Sequence, residues 1–589
     1  MASQVNTKYQ WVIPENEKAL PFVKGLPKGE GFTPFKIIVF LSTAIFAALG
    51  LITAQFFHFI GYTLKQIFTG NFKFQGTADL GLATVYAKLN HWNNLKEFNS
   101  FFKPWTFLKR PEVAKTWDTD AEFGRQRLVG MNPAFLKKCR PQDIGTGSKF
   151  PVTEELLKAH LGSDFNLTTA FDENRLYLLD YEILQKITLA DLENQLGRYP
   201  QAPFCLLYLN KNEELVPVAI QLDQNPSSEN PIYTPSSPAQ EWLTAKSLVA
   251  SADAAYQGIV SHLVFTHLVI EVFAIATHRH LPKDRVLWQL LNPHYFNTLA
   301  INNMARSTFL GRGAFFDSTG ALGFTGSNEL LSRSYSGKGQ IIDYDGDKLE
   351  FYKLSLPHSL ELRDVKDIPN YYYRDDAQLV WDAIQTYVTD VLKTKYKDAS
   401  SLANDSALQA WKDDLISEKG GNMKGLLPPE MAGQLTGRLT DINALIFIAT
   451  NVIFTATAQH SAVNFGQYDY AAWVPNMAFA MYKPLEELVE HNVKDTDSLT
   501  EWLPDRIQTL KQIVLVKTLV IRPPWTSKSL KTFKNPFKER EAREVFKSFK
   551  SNLNEIEQKI KARNAELKKE GKRPYVYLQP SRIGQSIAI

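Results

Sequence analysis

Apolar residues recur at helical spacing along most of the chain, and this pattern predicts a mainly α-helical protein. An amphipathic helix places an apolar residue at every third or fourth position. Five long stretches do so, namely residues 241–280, 283–310, 376–395, 436–464 and 505–522. Two short apolar runs, FCLLYLN and LVPVAIQL, lie within residues 204–222 and predict a small sheet or hairpin.

One apolar stretch differs from these amphipathic patterns. Residues 37–64 contain no Lys, Arg, Asp or Glu over 28 positions, and a bilayer-spanning helix needs about 20. The stretch is too long, and begins too far into the chain, for a signal peptide. Its polar interruptions and glycines favour a helix or hairpin that binds a membrane surface, while a true span and a buried core helix remain alternatives.

A second amphipathic pattern lies near the end of the chain, in the strongly basic residues 527–573. Its apolar residues recur at spacings of three and four and predict one buried helix face. These residues are Phe546, Phe549, Leu553, Ile556, Ile560 and Leu567. The charges then form the solvated face of a helix packed on the body, and a surface for lipid headgroups is the alternative.

Composition excludes several functional classes. The 589 residues carry a net charge of only +4, so the totals show no basic footprint and predict no nucleic-acid partner. The two cysteines, Cys139 and Cys205, exclude a disulfide framework and fit no metal spacing. A cytoplasmic location suits this cysteine usage.

Two histidines in the run SHLVFTH, His262 and His267, lie five residues apart. On a regular α-helix, side chains at this spacing point about 140° apart. A π-type turn, with i→i+5 hydrogen bonds, would bring both rings to one face, and such turns occur mainly at functional sites. The alternative is that one or both are isolated core histidines.

A second polar pair lies in the run ATAQHSAVNFGQYDY. His460 and Asn464 are four apart on an apolar helical pattern, and this spacing places them on one face. Three imidazoles with oxygen donors suit a borderline divalent metal such as iron. A hydrogen-bonded pair in the core is the alternative for these two residues alone.

Four blocks together resemble the lipoxygenase family. They are SHLVFTHLVIEVFAIATHRHL, LLNPHYFNTLAINNMAR, QHSAVNFGQYDY and the terminal SIAI, and they occur in the family's order. The resemblance covers residues 109–589 and implies a large helical catalytic domain with a long central metal-binding helix and minor β-structure. Residues 1–108 lack the alternating strands of the family's N-terminal β-barrel and are expected to form a helical extension, as in bacterial and especially cyanobacterial members.

The resemblance also implies a ligand set for one non-haem iron. His262, His267 and His460 would be ligands, Asn464 a weak or distant oxygen ligand, and the main-chain carboxylate of Ile589 the last one. The same ligands do not exclude manganese. Gln467 matches a glutamine that supports the ligands by hydrogen bonding, but its usual partner glutamine is replaced here by Gly258.

The activity implied by the resemblance is the dioxygenation of polyunsaturated fatty acids that contain a cis,cis-1,4-pentadiene, such as linoleate and linolenate. A hydrogen atom is removed from a bis-allylic carbon, and O2 adds to give a hydroperoxide. The alternative on the same scaffold is a fatty-acid hydroperoxide isomerase or lyase, and a third is a non-enzymatic membrane-bound protein. Peripheral membrane association through residues 37–64 would give access to such substrates.

Pocket residues follow from the same resemblance. Ala305, in the run NNMAR, matches the Ala/Gly position that biases product chirality in the family, and Ile301 lies on the same helical face. Phe309 and Phe316 occupy positions where the family often has Leu or Ile near the reactive carbon. The larger rings are expected to redirect oxygen, or simply to repack the core.

Overall fold

Helices dominate the computed structural model of the chain. The structure describes residues 5–15, 18–39, 90–103, 108–187, 197–340, 345–490, 495–522 and 528–589, with isolated positions between 41 and 49. The longer α-helices are Asp120–Val129, Glu154–Leu161, Ala239–Tyr256, Val269–His280, Thr298–Thr308, Gly323–Ser336, Tyr372–Lys395, Ser406–Ile416, Ile442–Phe454, Arg506–Leu519 and Arg540–Lys569. Shorter ones are Leu167–Asp172, Val286–Leu291, Phe315–Thr319, Leu356–Leu362, Ala399–Ala403, Gly433–Thr436, His460–Asn464, Gln467–Ala471 and Glu486–Val489. The prediction of a mainly α-helical fold is confirmed.

Two long helices cross the core and carry the four predicted side-chain ligands of the metal, His262, His267, His460 and Asn464. The central helix runs over Ala239–His280 and the partner helix over Ile442–Ala471. Both are long and apolar enough to cross a membrane, yet 94% and 78% of their most apolar windows are buried inside the protein. Their apolar residues therefore serve the core, as expected for helices that are hydrophobic on every side.

The sheet structure is small and local. Strands β1 (Trp11–Val12) and β2 (Phe22–Val23) form an antiparallel pair, and five further strands form an antiparallel sheet in chain order. These are β3 (Lys137–Lys138), β4 (Leu176–Asp180), β5 (Phe204–Leu209), β6 (Leu215–Gln221) and β7 (Ile232–Tyr233). Strands β5 and β6 confirm the hairpin predicted for residues 204–222.

The predicted helix over 283–310 is broken in the structure. Short helices cover Val286–Leu291 and Thr298–Thr308, with a 3-10 turn at Asn292–Tyr295 between them. Pro293 lies in this turn and cannot donate a helical hydrogen bond. Asn297 adopts a left-handed backbone with φ of 63°, which a continuous right-handed helix does not permit.

The basic C-terminal helix Arg540–Lys569 packs on the body through its apolar face, as predicted. Its six predicted apolar residues are all buried. Phe549 stacks on Tyr387 with ring centroids 4.2 Å apart, and Arg563 Nη2 donates to Asp376 Oδ2 at 2.9 Å. Tyr387 and Asp376 belong to the helix Tyr372–Lys395, so two long helices pack against each other across the core.

Parts of the N-terminal segment, which the structure describes over residues 5–15 and 18–39, pack directly on the helical body. Val23 N donates to the buried carboxylate of Glu271 on the central helix, and Trp11 Nε1 donates to Asp414. The predicted boundary between residues 108 and 109 stays a prediction, but Leu20 and Val23 share the main hydrophobic core.

Most of the apolar stretch 37–64 lies outside the described residues. Residues 34–39 are helical, and several large apolar residues within and after them are exposed. Ile38 is 60% exposed and Leu41 58% exposed, with Phe35, Ile37, Ile45 and Leu49 close behind. The helical residues 34–39 and the described positions after them therefore present several large apolar side chains at the protein surface.

Candidate metal centre

The central helix is π-wound where the two histidines lie. Residues Gln257–Leu268 form a π-helix within the longer helix. Its wider turn brings side chains five apart onto one face, and the Nε2 atoms of His262 and His267 lie 3.2 Å apart. The sequence prediction of a π-type turn at this pair is confirmed.

The partner helix brings the third imidazole to the same point. It has its own π-turn at Thr455–Gln459, directly before His460. The Nε2 atoms of His460 and His262 are 3.4 Å apart, and the candidate ligand atoms of the three histidines all lie within 4.8 Å of one another. All three residues are buried.

Burial keeps these three rings neutral. Desolvation lowers the pKa of His267 to about 4, and it lowers the pKa of His262 and His460 well below the usual value. Each ring therefore offers a lone pair rather than a charge at neutral pH. Converging Nε2 atoms of neutral imidazoles in a water-poor core fit a divalent metal such as iron or manganese.

One hydrogen-bond chain orients the ring of His267. If Nε2 faces a metal, Nδ1 carries the proton and donates to Asn302 Oδ1, 2.8 Å away. Asn302 Nδ2 is 2.8 Å both from the His267 carbonyl and from Glu271 Oε2, and Arg306 Nη2 donates to that same carboxylate oxygen at 2.6 Å. The sequence analysis did not identify Asn302. Its position directly after Ile301, on a helix expected to be buried, was a signal that this polar side chain needs a partner in the core.

The chain terminus reaches the same cluster. Ile589 is buried, and its main chain lies close enough to the His460 ring to influence the pKa of that ring. Four carbonyls of the tail, residues 583–589, accept hydrogen bonds from other parts of the fold. The donors are Leu530 N to Ile583 at 2.8 Å, His294 Nδ1 to Gln585 at 2.8 Å, Thr298 Oγ1 to Ile587 at 3.1 Å and Lys36 Nζ to Ala588 at 2.7 Å. The tail is therefore built into the interior rather than frayed.

Asn464 and Gln467 are linked to each other beside the histidines. Gln467 Nε2 donates to Asn464 Oδ1 at 2.7 Å, and Asn464 Nδ2 donates to the Leu519 carbonyl at 3.0 Å. The Asn464 amide oxygen thus already accepts one hydrogen bond. Gln257, next to Gly258, donates instead to the main chain at Val463, 2.6 Å away.

A narrow cavity of about 40 Å³ lies beside His262. Its lining is mainly apolar and includes Phe316, Gly258, Leu515 and Leu519. The volume is far below the roughly 300–1,000 Å³ of typical ligand pockets, so a long ligand requires its walls to move.

The predicted pocket residues separate into two groups. Phe316 lines this cavity, and a side chain at Gly258 would place its Cβ 3.3 Å from the Phe316 ring. Ile301 and Ala305 are buried on the helix Thr298–Thr308, and Phe309 follows it. These three are not among the described residues that line the cavity.

The Asn302 contact gives a testable prediction. The substitution Asn302→Ala leaves the His267 Nδ1–H without its acceptor and should lower metal affinity by roughly 10–100-fold. Anaerobic titration of the metal-free protein with Fe²⁺ or Co²⁺ measures this. The matched control is Asn303→Ala, because Asn303 is the exposed neighbour on the same helix. Equal affinity in both variants and the wild type would contradict the role given to Asn302.

The site geometry agrees with comparisons to known proteins. A model of the Lipoxygenase family matches residues 26–580. Arachidonate 12-lipoxygenase, 12R-type, of Rattus norvegicus is 31% identical over 570 residues, which are 96% of this chain and 75% of that protein. The human hydroperoxide isomerase ALOXE3 is 32% identical over 505 residues, which are 85% of this chain and 66% of that protein.

A solved structure shares the whole architecture. The crystal structure of a Delta413-417:GS LOX in complex with arachidonate superposes with a TM-score of 0.81 and 26% sequence identity. The match covers 99% of this chain and 80% of that one. The family model, the relatives and the buried cluster of three histidines converge on one conclusion: this chain is a member of the lipoxygenase family of dioxygenases.

Proposed function

We propose that this lipoxygenase oxygenates polyunsaturated fatty acids of the linoleate and linolenate type, which contain a cis,cis-1,4-pentadiene, to hydroperoxides. The observation that carries the proposal is the convergence of three neutral, buried imidazoles with the chain terminus, next to an apolar cavity. The relatives named above as arachidonate 12-lipoxygenase and the arachidonate-bound structure support a polyunsaturated chain as substrate.

The proposed ligands are His262, His267 and His460, the terminal carboxylate of Ile589 and, more weakly, the Asn464 amide oxygen. They would hold one non-haem iron, and manganese suits the same donors. When bound, the metal supplies the one-electron chemistry that removes a hydrogen atom from a bis-allylic carbon. One carboxylate among neutral rings keeps the net charge of the site low, which allows the metal to change oxidation state.

The residues of the chain itself would position the substrate and exclude water from the cavity. Apolar walls exclude water from the cavity beside His262, and a fatty-acid chain would bind there by apolar contact. We propose that Phe316 limits how deeply the chain enters, because its ring lies in the cavity wall against Gly258. Ala305, Ile301 and Phe309 are proposed to act on chirality and oxygen access from the helix behind the histidines.

A second candidate is a fatty-acid hydroperoxide isomerase or lyase on the same scaffold. The relative named hydroperoxide isomerase ALOXE3 favours it, because its identity to this chain, 32%, equals that of dioxygenase relatives such as human ALOX15B. The two activities differ in whether O2 is consumed.

We further propose that the protein is cytoplasmic and binds membranes peripherally through residues 37–64. The exposed apolar residues at the start of this stretch support the proposal. Exposed contiguous apolar patches mark interaction surfaces, and fatty acids partition into lipid.

Oxygen uptake tests the proposed activity. Iron-loaded protein given linoleate should consume O2 in proportion to its iron content, measured with an oxygen electrode. The electrode detects oxygenation at any carbon, whereas diene absorbance misses addition at the central carbon. Metal-stripped protein is the control. Consumption of a fatty-acid hydroperoxide without O2 uptake would instead support the isomerase, and neither reaction from iron-loaded protein would contradict both.

The carboxylate assignment predicts intolerance of extra residues after Ile589. Such residues move the carboxylate away from the histidines, so iron affinity should fall by more than the roughly 10–100-fold expected from losing one supporting hydrogen bond, and the purified protein should hold little iron. Elemental analysis of the purified protein gives the iron content. The same tag before Met1 is the control, and full iron with a C-terminal tag would refute the assignment.

The membrane proposal predicts a loss of liposome binding when the exposed apolar residues are made polar. Each apolar side chain contributes roughly 1.5–3 kcal/mol when fully buried, so Ile37→Gln, Ile38→Gln and Leu41→Gln together should abolish co-sedimentation with lipid vesicles. Leu362→Gln is the matched control, because Leu362 is also a large exposed apolar residue on a helix. Unchanged sedimentation of the triple variant would exclude this surface.

A further inference from the structure

Lys36 is a buried lysine whose ammonium reaches the end of the chain. It lies in the helical residues 34–39 and is only 3% exposed. Its Nζ donates to the carbonyl of Ala588 at 2.7 Å and lies 4.7 Å from the centroid of the Phe32 ring. The residue thereby joins positions 552 apart in the sequence.

Burying this ammonium is costly. Desolvation lowers the pKa of Lys36 to about 8, which reflects the loss of water around its charge. A charge-assisted hydrogen bond offsets part of this cost, and an apolar side chain would fill the same space without it. The ammonium therefore calls for a role in addition to packing.

The carbonyl that accepts the hydrogen bond from Lys36 belongs to the peptide group directly before Ile589. The peptide group is planar, so holding the Ala588 carbonyl also fixes the nitrogen and Cα of Ile589. Only the φ and ψ of Ile589 then remain to orient the terminal carboxylate. The next hydrogen bond back along the tail, from Thr298 Oγ1 to Ile587, leaves this last peptide free to rotate.

We propose that Lys36 is a positioning residue of the metal centre, which holds the last peptide so that the carboxylate of Ile589 faces the three histidines. The proposal rests on the proposed role of Ile589 as a ligand. It assigns part of the metal centre to the N-terminal segment, outside the helical body that carries the histidines. Lys36 itself acts through the tail and not on substrate.

Metal retention tests the proposal. Lys36→Met should release iron to a chelator about 10–100-fold faster than the wild type, as for loss of a group that supports a metal ligand. The electron paramagnetic resonance spectrum of the ferric protein should also change, because the carboxylate is less ordered. Lys36→Arg, which keeps a charged donor, should restore most of the retention. Lys28→Met, at an exposed lysine of the same segment, should behave as the wild type.

Thermal unfolding separates positioning from simple stabilisation. If Lys36 positions the carboxylate, Lys36→Met should shrink the rise in melting temperature that iron produces in the metal-free protein. An equal fall with and without iron, with an unchanged spectrum and unchanged iron release, would overturn the proposal. Lys36→Gln is the second variant, and failure of both variants to accumulate as folded protein would also overturn it.

The outcome is distinct from failure of the proposed function. If wild-type protein holds no iron, or if residues added after Ile589 leave iron binding intact, the ligand assignment itself fails. If wild-type protein loses iron when the tail is extended but Lys36→Met retains it normally, only the role of Lys36 fails.

Discussion

The structure depends on holding three imidazoles neutral and convergent in a core that excludes water. Neutral rings require burial, and burial requires two helices that are apolar on almost every side. Convergence of His262 and His267 requires the wider π-turn, which gives up regular helical hydrogen bonding over Gln257–Leu268. The partner helix also departs from regular α-helical hydrogen bonding, at the π-turn Thr455–Gln459 just before His460. Both irregular turns therefore lie where the metal chemistry needs them.

If Ile589 is a ligand as proposed, the same constraint explains why distant parts of the sequence donate hydrogen bonds to the tail. A metal held by three neutral imidazoles would be stabilised by an anionic ligand, and the proposed terminal carboxylate can reach the core only if hydrogen-bond donors within the fold replace the water around the tail. Three carbonyls along the tail accept such hydrogen bonds, and the donors are His294, Thr298 and Lys36. Because these donors come from distant parts of the sequence, the carboxylate is in place only when the whole fold has closed. With Ile589 as a ligand, as proposed, metal binding and completion of the fold would be coupled.

Sequence reasoning succeeded where one element determines the answer. The five-residue spacing of the histidines raised a π-turn as one of two interpretations, and the family resemblance favoured it. The spacing of Phe546 and Phe549 predicted the buried face, and the apolar runs predicted β5 and β6. The sequence analysis did not predict features that are determined by contacts between different elements. The left-handed backbone at Asn297 breaks a pattern that reads as one helix, and no spacing rule pairs Asn302 with His267 or Lys36 with Ala588. Such partners are chosen by contacts between elements, which a single sequence without related sequences does not reveal.

Gly258 shows how one missing side chain changes the character of the site. In the family that the sequence resembles, a glutamine at this position is the usual partner of Gln467, but Gly258 has no side chain, and Gln467 donates to Asn464 instead. The ring of Phe316 takes up the space, since even a Cβ at position 258 would meet it at 3.3 Å. A polar link between ligand network and cavity is thus replaced by an aromatic wall. An aromatic ring in the cavity lining selects by shape, whereas a hydrogen-bonded amide selects by polarity and orientation. Selection of the reactive carbon in this chain should therefore depend on the side-chain volume at Phe316 more than on the amide of Gln467.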